Sequence, residues 1–180
     1  MSVRSAIVLS LVFIILMPVY LWGRPEVKRN NQLRERQESL LKLDGINALT
    51  LVRGTETVRF QKTPDGKLFA MTQPPSAFVP QDLMQAMASL LLNAKKVEIV
   101  SDNLNDLSQY GLDQPKVVMT IEAKDKPQPI KILFGAENPT RTAIYAEIVG
   151  VPKVFLLGRN LEYYQTLMFQ WVEGKQGKNA

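Results

Sequence analysis

The chain has 180 residues, 46% of them hydrophobic, with no histidine, no cysteine and a net charge of +5. Disulfides, thiolate nucleophiles and imidazole bases are therefore excluded, along with nearly all zinc, copper and haem ligation. An all-carboxylate magnesium or calcium site stays open. Between Gly45 and Val172, 13 basic and 12 acidic residues leave that segment at +1. The basic character thus belongs to the flanks. A nucleic-acid-binding domain needs a concentrated basic face, so no nucleic-acid partner is expected.

After a short tail (1–5), Ala6 to Trp22 is a run of 17 residues without a charge. As a helix it would span about 26 Å, enough for a thin bilayer. Tyr20 and Trp22 close it, as aromatic rings do at the headgroup level. No small-residue cleavage site follows, so the run predicts an uncleaved single-span anchor rather than a signal peptide. Membrane lipid is then a partner through this helix. Orientation is contested. Arg24, Lys28 and Arg29 just after the span favour a cytoplasmic domain, whereas a very short N-terminus with only Arg4 is the usual start of an exporting signal anchor. Residues 23–44 are polar and charge-dense, with Leu33, Leu40 and Leu41 on one narrow stripe. They predict a juxtamembrane linker, partly helical.

A folded domain is expected over 45–172. "ALTLVR" and "TVRFQK" flank Gly54 as a hairpin, and "TPDG" (63–66) turns the chain into a third strand. Consecutive prolines in "QPPSAFVP" break the sheet. Pro80 opens a helix in which Leu83, Met84, Met87, Leu90 and Leu91 share a face, and Lys95 and Lys96 are expected in its last turn. Methionines at this spacing suit an ordinary core as readily as a binding groove. "KVEIV" reads as a strand.

"NDLSQYGLDQP" follows. Ser101 or Asn103 could cap one helical turn ending at Tyr110. Gly111 then supplies a left-handed residue past its end, Leu112 folds back as the hydrophobic contact, and Pro115 sends the chain into "KVVMTIEA". "PIKILFG", "TAIYAEIVG" and "PKVFLLG" are further strands. A last helix is capped by Asn160 and faces inward with Tyr164, Leu167, Met168, Trp171 and Val172. Residues 173–180 read as a disordered tail. This order lacks βαβ repeats. The fold class is therefore α+β: an N-terminal single transmembrane helix, then a mostly antiparallel sheet with two main helices.

Two loops invite a functional reading. "DNLND" (102–106) resembles a calcium loop but has Leu104 at the third position and no closing glutamate. "GAENPTR" (135–141) could cradle an anion but lacks phosphate-loop spacing, so a strand connection explains it better. Neither assigns a catalytic residue, a metal or a cofactor.

The order of elements, with "KKVEIV", "YGLDQP", "IKILFG" and "IYAEIVGVPKVFLL" in succession, resembles the bacterial domain of unknown function 4340 family. Tyr110, Gly111, Leu112 and Pro115 match its signature, and Gly135, Tyr145 and Val154 match later landmarks. The resemblance covers about Leu49 to Val172. It implies an anchored domain in the bacterial inner membrane, with the C-terminal domain periplasmic, often near ABC-type transport components. It implies no catalytic residues. Together these features point to a non-enzymatic accessory domain with a protein partner in a membrane complex. The alternative is a small-ligand or peptide-binding module, using a sheet edge or the surface between the sheet and the last helix.

Overall fold

The computed structural model describes Met17 and residues 39–94, 98–101 and 106–174. The expected anchor at 6–22, apart from Met17, and the linker up to residue 38 lie outside the described residues. No helix among the described residues is long and apolar enough to cross a membrane. The chain divides into units 1–38 and 39–180, and the second carries the fold.

Eight strands form one sheet: β1 (Ile46–Arg53), β2 (Glu56–Lys62), β3 (Phe69–Gln73), β4 (Glu98–Ser101), β5 (Val117–Ala123), β6 (Ile130–Glu137), β7 (Ala143–Ile148) and β8 (Val154–Gly158). Their spatial order is β3-β2-β1-β5-β6-β7-β8-β4, and each neighbouring pair is antiparallel. Hairpins explain most of this order. Two passages are exceptions: from β3 at one edge to β4 at the other, through helix α1 (Gln81–Leu92), and from β4 back to β5 beside β1, through the 3-10 turn Ser108–Tyr110. A second helix, α2 (Asn160–Val172), follows β8. Strands separated from helices in this way make the domain α+β.

Period-two alternation sorts the sheet into two faces. Leu49, Leu51, Val58, Phe60, Met119, Ile121, Ile132 and Phe134 point to one side and form the core with Met84, Met87 and Leu91 of α1 and Met168 and Phe169 of α2. Burying one such side chain contributes about 1.5–3 kcal/mol. The opposite face carries a row in direct register: Thr57, Val52, Val118, Leu133, Glu147 and Val154. Beside it runs a polar row of Arg59, Thr50, Thr120 and Lys131. Arg59 donates to Thr50 Oγ1 at 2.9 Å and pairs with Glu122 at 2.8 Å.

The folded unit begins at Ser39, six residues before the expected Gly45. Helix α1 ends with carbonyls that lack intrahelical partners. The Ser39 hydroxyl donates to Leu92 O at 2.9 Å and Leu40 N–H to Ala94 O at 2.7 Å. Leu41 and Leu43 then enter the core. The end of the supposed linker thus stops helix α1. The expected lysines do not close that helix: it finishes at Leu92, and Asn93 donates its side-chain amide to Ser89 O at 2.9 Å. Residues 95–97 lie outside the described residues.

Helix α2 differs from expectation at both ends and along its face. Asn160 is its first residue, with Arg159 at the N-cap and no side-chain cap bond. Glu173, expected in a disordered tail, caps its C-terminus and pairs with Arg53. The buried residues are Leu161, Gln165, Met168 and Phe169, while Tyr164, Trp171 and Val172 lie partly buried at the border of the core. The polar Gln165 therefore lies at the centre of the inward face. A reading that follows apolar residues alone passes over it.

Candidate functional site

The YGLDQP segment forms a packing joint on the face of the sheet opposite helices α1 and α2. Ser108–Tyr110 is one 3-10 turn, and Gly111 follows at φ 64°, ψ 26°. Leu112 N–H reaches back to Leu107 O at 3.0 Å and Gly111 N–H to Ser108 O at 2.9 Å. This pair of bonds is the Schellman stop, and a left-handed residue is its requirement. Leu112 is buried. The N-cap of the turn is Leu107, without a side-chain bond, rather than Ser101. Asn103 lies outside the described residues. The half-buried Pro115 leads into β5, where Lys116 N–H donates to Phe134 O at 2.8 Å.

The turn lies against β6 and β7. At Gly135 it comes so close that a Cβ there would lie 2.2 Å from Tyr110 O. The Tyr110 ring rests on Tyr145 of β7, centroids 4.9 Å apart. Four residues that carry the family resemblance therefore meet in one contact: Tyr110, Gly111, Gly135 and Tyr145. Val154 stands apart, buried opposite Glu147. These are packing roles, with no acid–base pair and no nucleophile in the contact.

A candidate site lies on the other side of Gly135. There a recess of about 130 Å³ opens between the strand ends of β1, β5, β6 and β7 and helix α2. Val117, Phe134, Ile144 and Phe169 give it an apolar floor, and Arg53, Lys116, Glu162, Gln165 and Thr166 complete its lining. Arg53 is fully engaged. Its guanidinium lies 4.1 Å above the Phe169 ring, bonds Glu56 at 2.7 and 2.9 Å and pairs with Glu173. Lys116 is exposed and makes no ion pair among the described residues.

Two atoms of the recess are out of balance. Gln165 is only 2% exposed, and its Nε2 has no acceptor. Glu162, one helical turn earlier, has a buried Oε2 with no donor within hydrogen-bond distance. Arg159 Nε approaches that oxygen only to 3.7 Å, an electrostatic contact rather than a hydrogen bond. An unsatisfied buried donor or acceptor costs about 1–3 kcal/mol. A slightly larger hollow of about 170 Å³ lies between Leu90, Ala94, Leu157 and Leu161. It has no such orphaned group and offers little to orient a ligand.

The remaining sequence candidates resolve as structure. In the "GAENPTR" loop, Asn138 Oδ1 accepts from Thr142 N–H at 2.8 Å and Ala143 N–H at 3.1 Å, closing the β6–β7 connection around its own side chain. Of "DNLND" only Asp106 is described, and it accepts from the Ser108 hydroxyl. No cluster of three or more metal-ligating side chains occurs among the described residues. Arg53, Lys116, Glu162, Gln165 and Thr166 were invisible as a site in the sequence, since three distant segments supply them. The one available signal is Gln165, a polar residue in the middle of a helical apolar face.

A family model described as Domain of unknown function (DUF4340) matches residues 70–176, more than half of the chain. The match begins in β3, so β1 and β2 lie before it. No curated protein and no solved structure matches the chain.

Proposed function

We propose that this chain, which belongs to the DUF4340 family of domains of unknown function, is a membrane-anchored accessory domain that docks onto a larger cell-envelope complex and performs no catalysis itself. The observation that carries this reading is the face of the sheet opposite helices α1 and α2. Val52, Val118 and Leu133 stand there in direct register across three adjacent strands, each partly buried. The polar row of Arg59, Thr50, Thr120 and Lys131 lies alongside. An apolar seam beside a polar one is a surface that a protein partner can match both in shape and in hydrogen bonding. The uncharged run Ala6–Trp22 supports an inner-membrane anchor, and the near-neutral domain supports a protein rather than a nucleic-acid partner. The resemblance favours a periplasmic domain and an ABC-type transport assembly as the host complex.

Photo-crosslinking in intact membranes tests the docking face. A crosslinker at Leu133 or Thr120 is expected to give one discrete protein adduct, and one at Asp82 on helix α1 none. Adducts at neither face position, with the full chain sedimenting alone from mild detergent, would overturn the reading. Fusions at Ala180 to alkaline phosphatase and to a fluorescent protein that matures only in the cytoplasm report the orientation. Phosphatase activity without fluorescence is expected.

A further inference from the structure

The recess beside helix α2 goes beyond the docking reading and does not depend on it. We infer that it is a binding site for a small free α-amino acid in its zwitterionic form, with a side chain the size of a methyl group. Two of the three orphaned buried side-chain atoms among the described residues lie in this recess; the third, Glu147 Oε2, is on the other face of the sheet. Gln165 Nε2 is a buried donor without an acceptor, and Glu162 Oε2 a buried acceptor without a donor. Both residues project from one side of α2 into the same recess, yet neither bonds the other. An occupant that satisfies both must present an acceptor and a donor at once.

Charge narrows the choice. Arg53 is neutralised by Glu56 and Glu173, so its cation is already spent within the fold. Of the charged residues that line the recess, that leaves Lys116 and Glu162, one positive and one negative; Arg159 faces Glu162 Oε2 only at 3.7 Å, outside hydrogen-bond distance. A simple anion would meet the Glu162 carboxylate, and a simple amine would meet the Lys116 ammonium. A zwitterion meets both with the right sign: its carboxylate toward Lys116 and Gln165 Nε2, its ammonium toward Glu162. Such charge-assisted bonds are about twice as strong as neutral ones.

Size and lining narrow it further. The volume, about 130 Å³, is close to that of a cavity of about 150 Å³ that holds one benzene ring. About six non-hydrogen atoms therefore fit, the size of alanine. The apolar floor of Val117, Phe134, Ile144 and Phe169 suits a short aliphatic side chain. Ordered water could also bridge the two orphaned atoms, and that is the alternative the test must separate.

Isothermal titration of the full chain in detergent micelles decides it, with three probes: L-alanine, ethylamine and propionate. The last two are alanine without its carboxylate and without its amine. Saturable binding of L-alanine is expected, with neither fragment binding measurably. Lys116→Met, Gln165→Met and Glu162→Gln should each weaken L-alanine at least about tenfold, since losing one hydrogen bond to a charged group costs about that much. Thermal melts of the three variants confirm that each is folded. No saturable binding of L-alanine would mean water only and overturn the proposal. Equal binding of propionate would make the recess a plain anion site, and unchanged affinity in all three folded variants would put the ligand elsewhere; either result also overturns it.

Discussion

The joint at Tyr110 and the recess at Gln165 share a wall, Gly135, and differ in how their polar groups are met. In the joint, the N–H groups of Tyr110, Gly111 and Leu112 all find carbonyls within the turn, and two aromatic rings close over the contact. In the recess, a buried amide nitrogen and a buried carboxylate oxygen find nothing. One region is complete as folded and the other is incomplete. Completed packing is where substitution should cost stability. Incomplete polar groups are where substitution can raise stability while removing a function.

The sharpest way to break the joint is Gly135→Ala. The added Cβ would lie 2.2 Å from Tyr110 O and 3.0 Å from Gly111 C, both backbone atoms that cannot swing aside. The 3-10 turn must lift off β6, at a cost of about 3 kcal/mol, the upper range for overpacking. For a domain of this size the melting temperature should fall by roughly 10 °C. An unchanged melt would show that the turn does not press on Gly135.

Gly111→Ala tests the same joint through conformation. Its φ of 64° disfavours any Cβ, and that Cβ would also stand 3.0 Å from Ala136 N. A loss of about 1–2 kcal/mol is expected. Gly111→Asn separates the two causes, because asparagine tolerates the left-handed region but keeps the Cβ. If asparagine recovers most of the loss, conformation dominates; if it recovers none, the contact with Ala136 does.

On the recess side the sign reverses. Gln165→Met keeps nearly the same volume and removes a buried donor that lacks an acceptor. The domain should become more stable by about 1 kcal/mol, seen as a higher denaturant midpoint at unchanged slope. A clear loss of stability would instead show that Gln165 is satisfied by bound water and that the recess is as complete as the joint.

The same contrast explains what could be read from the sequence. The joint was legible because glycine and proline act locally. Gly111 ends a turn and Pro115 starts a strand whatever the rest of the chain does, and alternation placed the strands for the same reason. The eight-stranded order was not legible, since nothing in the "QPPSAFVP" break tells that helix α1 carries the chain from one edge of the sheet to the other. The role of Ser39 was equally hidden. It bonds Leu92 across 53 positions, and a serine at the end of a charged run gives no sign of a distant helix end. The recess stayed hidden too. Arg53 ends a strand, Lys116 begins another, and Glu162 and Gln165 lie on a helix. Only the tertiary fold makes them neighbours.

The smallest effect lies far from both regions, in the "TPDG" turn, and it calibrates them. Asp65 is fully exposed, yet its carboxyl is held below the ordinary 3.8, first by the Thr63 hydroxyl and then by the Lys67 backbone N–H. Both donors favour the ionised form, so the folded value lies below the unfolded one. The sign follows: this contribution to stability is present above the unfolded value and is lost as pH falls through the folded one. Thr63→Val should move the Asp65 carboxyl back toward its ordinary value, read by NMR titration of the side-chain carbon. The melting temperature at neutral pH should hardly change, because water competes for every group of an exposed turn. An Asp65 titration left unmoved by Thr63→Val would show that Lys67 N–H alone holds the carboxylate. A melting change as large as that of Gly111→Ala would mean that the turn, like the joint, is complete and buried in its effect, and exposure would then be a poor guide to which polar contacts in this domain matter.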